Sequence, residues 1–222
     1  MSTNQNKNNN HTYFMRLALE QAKKVLGNTK NNPAVGCVIT KNNHVISAGY
    51  TSINGRPHAE HNAIKLSNTD PINSQLYVTL EPCSHYGKTP PCVKTIIRNK
   101  IKRVFFSLKD PDRRSYNKST KQLKKNKIRV QNGVLTSDVK NFYKSYFKYK
   151  EDVLPFVTAK MAISKDFYTN SNKKKWITNK FSRGRVHLMR STHDCILTSV
   201  RTVIADDPNP VSYTHLTLPT KA

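Results

Sequence analysis

The chain has 222 residues, enough for one domain and part of a second. Its net charge is +25, from 38 lysine and arginine residues against 13 aspartate and glutamate residues. No run of about 18 apolar residues occurs and the Asn-rich start has no apolar segment, so neither a membrane-spanning helix nor a secretory signal is predicted. The four cysteines suit a reducing compartment, and we expect a cytoplasmic protein.

The positive charge permits two interpretations. A basic face binds nucleic acid in many proteins. Here the excess is spread along the whole chain, mostly as lysine, and asparagine is also abundant. An AT-rich coding sequence produces this composition without any partner, so we expect no nucleic-acid partner and no membrane partner.

The spacing of apolar residues predicts alternating helices and strands after a disordered lead over 1–12. Helices are predicted over 13–26, 58–66, 92–99, 118–126 and 137–150, and strands over 35–40, 45–50, 76–80, 104–108 and 128–130. This alternation predicts a three-layer α/β/α domain over 13–150. Beyond a linker at 151–155, strands over 156–163 and 195–198 and a helix over 180–190 predict a second, incomplete α/β unit.

Three short motifs in the first domain carry residue types that bind zinc. They are Pro57-His58-Ala59-Glu60, Glu81-Pro82-Cys83 and Pro90-Pro91-Cys92. A catalytic zinc ion takes three protein ligands and leaves its fourth position to water, whose pKa falls from about 15.7 towards about 7. His58, Cys83 and Cys92 are the predicted ligands, and Glu60 is the predicted catalytic proton carrier. The pattern is typical of zinc deaminases that act on nucleobase-like rings.

The other two cysteines lie in apolar runs. Cys37 falls within 35–39 and Cys195 begins 195–197. Both are predicted to be small core residues rather than ligands.

These residues resemble the bifunctional riboflavin biosynthesis proteins, which pair a diaminohydroxyphosphoribosylaminopyrimidine deaminase with a 5-amino-6-(5-phosphoribosylamino)uracil reductase. The likeness to the deaminase half covers 13–150, and its most specific part is 81–92, where the two cysteines are nine residues apart rather than three. It implies a cytidine-deaminase-like fold and hydrolysis of 2,5-diamino-6-(5-phosphoribosylamino)pyrimidin-4(3H)-one. It also implies that Asn32 contacts the pyrimidine and that His85 and Lys88 contact the ribose phosphate. The full-length family is expected to form homo-oligomers.

Residues 151–210 resemble the opening of the family's reductase domain, which has a dihydrofolate-reductase-like fold and uses NADPH. The resemblance implies NADP contacts from Ala162, Trp176, Thr202 and Asp206, and a substrate contact from Arg190. Phe167 stands where the family has glycine. The likeness ends at Pro210, so 211–222 is predicted to be a foreign tail. Because the family's glycine-rich NADP loop is missing, we expect no reductase activity.

Two alternatives remain open. A deaminase of deoxycytidylate or of adenosine in tRNA would share the motif around His58 and Glu60, and the net charge would suit tRNA. The second alternative is a non-catalytic, zinc-stabilised module that binds nucleic acid. The wide spacing of Cys83 and Cys92, together with the reductase-like segment, favours the riboflavin family.

Overall fold

The chain forms two compact units in the computed structural model, which describes residues 2–87, 89–112, 114–169 and 176–207. The first unit ends at Phe156 and the second begins at Val157. No helix in the described part of the chain has both the length and the apolarity that a bilayer crossing requires.

A five-stranded mixed sheet organises the first unit. Its strands are β1 (Gly36–Lys41), β2 (His44–Tyr50), β3 (Gln75–Leu80), β4 (Arg103–Leu108) and β5 (Arg129–Asn132). The order across the sheet is β2-β1-β3-β4-β5. Strand β1 runs antiparallel to β2 and β3, whereas β3, β4 and β5 are parallel. All five strands predicted for this domain are present close to their predicted bounds.

Among the described residues, six α-helices belong to the first unit and two to the second. The first six are α1 (Ser2–Lys23), α2 (Ala59–Lys65), α3 (Cys92–Arg98), α4 (Lys118–Lys125), α5 (Thr136–Phe142) and α6 (Lys144–Asp152); the second unit has α7 (Lys180–Ser191) and α8 (Val200–Asp206).

Two predictions about these helices need correction. α1 begins at Ser2, so it runs through the predicted disordered lead. His11 explains part of this order, because its ring packs 4.2 Å from that of Phe105 and its Nδ1 lies 2.8 Å from the Tyr77 hydroxyl. The single helix predicted over 137–150 is two helices, α5 and α6, which meet at Tyr143. There the buried Tyr143 hydroxyl donates to the Ala34 carbonyl at 2.9 Å, which anchors the junction in the core.

Alternation along the strands gives the sheet two buried faces. Val38, Tyr77 and Phe105 pack with Phe14 and Met15 of α1 on one face. Their neighbours along the strands form a second cluster with residues of α2, α3 and α4: Cys37, Ile39, Leu76, Val78, Val104, Phe106, Ala63, Ile96 and Leu123. Both faces are therefore covered, as the three-layer prediction requires.

The described residues of the second unit contain two helices and no strand. The strands predicted over 156–163 and 195–198 are absent there, and side chains in these segments are exposed, including Val157 at 79% and Leu197 at 97%. A strand needs a hydrogen-bonded neighbour, and these segments have none in the described residues. Cys195 is exposed rather than in a core, while Cys37 is buried as predicted. The predicted foreign tail lies outside the described residues.

Candidate metal centre and active site

The three predicted ligands come from three neighbouring places in the fold. His58 is the residue that precedes α2, Cys83 follows β3, and Cys92 is the first residue of α3. In open α/β sheets, functional groups gather where strands end and helices begin. Segments far apart in sequence therefore meet beside the carboxyl end of β3.

The ligand atoms are spaced as a tetrahedral zinc ion requires. Cys83 Sγ lies 3.5 Å and Cys92 Sγ 3.4 Å from His58 Nδ1, and all three atoms lie within 4.8 Å of one another. Zinc bonds of about 2.3 Å to sulfur and about 2.0–2.1 Å to nitrogen place sulfur and nitrogen about 3.6 Å apart in a tetrahedron. The residues present thus fit zinc, with one position left over.

The two thiols differ in acidity because they interact. The thiol of Cys92 hydrogen-bonds Cys83 and holds the pKa of Cys83 well below its ordinary value, and His58 and the backbone N–H of Cys92 stabilise the same thiolate. The same pairing, together with burial, raises the pKa of Cys92 well above its ordinary value. A second thiolate in this buried place therefore needs a cation beside it.

Glu60 is a buried carboxyl in the first turn of α2, with 3% of its surface exposed. Burial raises its pKa, and the charge of Cys83 raises it further. Burial disfavours the protonated form of His58 and by itself would lower its pKa. The hydrogen bond with Cys83 and the charge of Glu60 outweigh burial, so the pKa of His58 is raised. Glu60 thus lies beside the ligands and holds a proton more tightly than an exposed glutamate does.

A cleft opens onto His58, Glu60 and Cys83. Asn32 and His85 also line it, as the resemblance implies for substrate contacts. Gly55, at φ +90°, permits the approach of Asn32, because a Cβ there would lie 2.3 Å from Asn32 Nδ2. His85 is held by Ser115, whose Oγ lies 2.9 Å from His85 Nδ1. Lys88 lies outside the described residues, so its predicted phosphate contact stays a prediction.

Comparison with known proteins agrees with this geometry. Residues 8–108 match the cytidine and deoxycytidylate deaminase zinc-binding region, and residues 155–217 match the RibD C-terminal domain. The chain is 39% identical over 198 residues to the riboflavin biosynthesis protein RibD of Aquifex aeolicus, a match that spans 88% of this chain and 56% of that protein. It is 36% identical over 198 residues to RibD of Escherichia coli, spanning 88% and 54%. The chain belongs to the RibD family.

A solved RibD structure has a similar fold. The diaminohydroxyphosphoribosylaminopyrimidine deaminase/5-amino-6-(5-phosphoribosylamino)uracil reductase of Thermotoga maritima superposes with a TM-score of 0.87 at 36% identity, over 94% of this chain and 60% of that chain. The cytidine-deaminase-like fold predicted for the first domain is confirmed. The chain spans a little more than half the length of the curated RibD proteins that it matches.

The remaining predicted contact residues lie in the second unit, which matches the RibD C-terminal domain. Arg190 is in the last turn of α7, and its Nη1 lies 3.4 Å from His187 Nδ1. Arg183 stacks over the ring of Trp176 at 4.5 Å, and the hydroxyls of Thr202 and Ser199 are 2.9 Å apart. Ala162 lies in the segment before α7, and Asp206 is the last residue of α8. Their NADP and substrate contacts remain predictions.

Several residues that line the cleft were not predicted. Asp110 follows β4 beside β3, so its position at the carboxyl edge of adjacent parallel strands was a usable signal. Burial raises the pKa of Asp110 to about 6, although Tyr146 donates its hydroxyl to Asp110 Oδ1 at 3.2 Å. Tyr146 and Lys150 reach the cleft from α6, whose direction depends on the break at Tyr143. No local sequence pattern indicates that the helix breaks at Tyr143.

Proposed function

We propose that this RibD-family chain hydrolytically deaminates 2,5-diamino-6-(5-phosphoribosylamino)pyrimidin-4(3H)-one. The products are 5-amino-6-(5-phosphoribosylamino)uracil and ammonia. The observation that carries the proposal is the buried carboxyl of Glu60 beside the zinc-compatible set His58, Cys83 and Cys92 at the base of a cleft. The nine-residue separation of the cysteines and the 39% identity to a RibD protein over 88% of the chain favour this substrate.

Each residue has a defined task in this reaction. When bound, zinc would act as a Lewis acid that lowers the pKa of water, so that hydroxide is available to attack near pH 7. Glu60 takes one proton from the attacking water and passes it to a ring nitrogen. It then takes the remaining proton from the newly formed hydroxyl group and delivers it to the departing amine. The amidine carbon gains oxygen as its C–N bond breaks, so one water is consumed for each ammonia released. Asn32 can read the donor and acceptor edge of the ring.

The scaffold supports this proton transfer in two ways. The raised pKa of Glu60 brings its protonated and ionised forms closer in energy near neutral pH. Its burial also keeps the carboxyl in one place, because the first turn of α2 fixes its backbone. The same proposal places the protein in the cytoplasm, where thiolate ligands stay reduced. Homo-oligomer formation stays a prediction from the family.

The decisive variant is Glu60→Gln, which keeps the shape of the side chain and removes its proton-carrying ability. We expect ammonia release from the diaminopyrimidine phosphate to fall about 10²–10⁴-fold, with zinc content unchanged. Glu151→Gln, at an exposed glutamate, is the matched control and should retain wild-type activity. Full activity in Glu60→Gln, or no ammonia release from the zinc-loaded wild-type chain, would overturn the proposal.

A further inference from the structure

Arg56 joins the two loops that carry the predicted metal ligands. It lies two residues before His58 and lines the cleft. Its Nη1 donates to Thr89 Oγ1 at 2.6 Å, in the loop between Cys83 and Cys92. Gly87 makes room for it, because a Cβ there would lie 3.0 Å from Arg56 Nη2. The guanidinium is thus held in a fixed place against the loop of Gly87 and Thr89.

In the described part of the chain, Arg56 has no carboxylate partner, whereas Arg114 in the same cleft is paired with Asp112. Arg114, which also lines the cleft, contacts both oxygens of Asp112 through Nε, at 3.0 and 3.1 Å, and forms an ion pair with it. Among the described residues, no carboxylate lies within 4.0 Å of the Arg56 guanidinium. Those residues also take only one of its five N–H donors, through Thr89. Arg56 therefore offers positive charge and spare donors to a ligand.

The polarity of the cleft indicates which part of a ligand would meet Arg56. Four carboxyl groups of the described residues line the cleft, and those of Glu60, Glu81 and Asp110 are buried whereas that of Asp112 is paired with Arg114. They disfavour an anion near the reacting centre. A half-buried guanidinium, by contrast, matches the geometry of phosphate oxygens better than an ammonium does. A ligand with a neutral ring and a phosphate is thus oriented with its phosphate towards Arg56.

We propose that Arg56 is a specificity-determining residue that binds the phosphate of the substrate and selects the phosphorylated pyrimidine over its dephosphorylated counterpart. This inference rests on the proposed deamination for its substrate, but it makes a claim about binding that can be tested without turnover. Arg56 acts by direct contact and by charge, so its contribution weakens as salt concentration rises.

The test compares ribose 5-phosphate with ribose as calorimetric probes of the zinc-loaded full chain. We expect wild type to prefer ribose 5-phosphate, and Arg56→Gln to weaken binding of ribose 5-phosphate at least tenfold with zinc content unchanged. Arg129→Gln, an exposed arginine on β5, is the matched control and should change affinity less than twofold. Arg56→Lys keeps the charge and should recover part of the affinity. If Arg56→Gln proves unstable, the affinity of Arg56→Lys for ribose 5-phosphate is measured instead.

The inference and the proposed function fail in different ways. No preference of wild type for ribose 5-phosphate over ribose, or equal affinity in wild type and Arg56→Gln, overturns the role of Arg56 whether or not ammonia is released. If Arg56→Gln is unstable, Arg56→Lys is compared with a folded uncharged variant, Arg56→Met. An affinity of Arg56→Lys for ribose 5-phosphate that is no higher than that of Arg56→Met also overturns the role of Arg56. In kinetics, Arg56→Gln should raise KM for the phosphorylated substrate about 10-fold or more, and lower kcat/KM more for the phosphorylated substrate than for the dephosphorylated one.

Discussion

Asp110 and Asp112 both line the cleft, and their pKa values are shifted in opposite directions. Asp110 is 8% exposed, and burial raises its pKa from 3.8 to about 6. Asp112 is hydrogen-bonded by the side chain and the backbone N–H of Arg114, which lower its pKa to about 2 despite partial burial. At neutral pH, ionised Asp110 therefore destabilises the fold, whereas ionised Asp112 stabilises it. Active sites commonly contain such contrasts.

Asp110→Asn should change stability in a pH-dependent way. Because folding raises the pKa of Asp110, its favourable contribution is complete below about pH 3.8 and is lost as the pH rises through about 6. One pKa unit corresponds to about 1.4 kcal/mol, so ionised Asp110 costs at most about 3 kcal/mol at pH 7.5. The asparagine removes that cost and can still accept hydrogen bonds. We expect its Tm, relative to wild type, to be higher at pH 7.5 than at pH 4.

Asp112→Asn is the matched comparison and should show the opposite trend. A lowered pKa contributes stability above about pH 3.8, and that stability disappears only as the pH falls through about 2. The variant should therefore lose more stability at pH 7.5 than at pH 2. Thermal unfolding across this range checks both variants. An Asp110→Asn effect that is the same at pH 4 and pH 7.5 would contradict the account.

Close backbone packing between elements sets the position of the site. Helix α2, which follows His58 and carries Glu60, rests directly on β2: a Cβ on Gly49 would lie 2.5 Å from the Ala63 nitrogen and 2.8 Å from the Ala59 oxygen. Helix α1 rests on β1 in the same way, because a Cβ on Gly36 would lie 1.8 Å from the Ala18 oxygen. The two glycines occupy comparable positions, but of these two helices only α2 carries the proposed proton carrier, Glu60.

Gly49→Ala is therefore expected to weaken zinc binding as well as stability. The added methyl group meets backbone that cannot rotate away, so α2 must shift, at a cost of about 1–3 kcal/mol or more. Gly36→Ala is the control, since it displaces α1, which bears no ligand, and should lower Tm with a smaller loss of zinc affinity. Competitive zinc titration with a chelator measures the difference. Equal zinc affinity in Gly49→Ala and wild type would show that α2 does not need this contact.

At the level of the whole molecule, core and site belong to one unit. Both buried clusters and every residue that lines the cleft lie before Phe156. The described part of the second unit exposes large apolar side chains, such as Phe181 at 89% and Ile204 at 80%. The proposed deamination therefore draws on residues of the first unit alone.

The sequence predicts the parts of this molecule that local chemistry specifies. Zinc-dependent hydrolysis requires the side-chain types of His58, Glu60, Cys83 and Cys92. The spacing of apolar residues predicted the five strands. Tyr146 and Lys150 could not be predicted, because their approach to the cleft depends on the break at Tyr143 and its buried hydroxyl. The strands predicted over 156–163 and 195–198 failed for a related reason, since strand formation depends on a partner that the apolar pattern does not identify.

The metal environment is the most direct test of the central claim, that two thiolates and one imidazole hold a catalytic zinc ion. Zinc X-ray absorption of the full chain should show one zinc per chain with two sulfur neighbours at about 2.3 Å and two nitrogen or oxygen neighbours at about 2.0–2.1 Å. Cys83→Ser should reduce the sulfur count or abolish stoichiometric zinc. A closed four-sulfur or three-sulfur shell in the wild-type chain, or no stoichiometric zinc at all, would contradict the account.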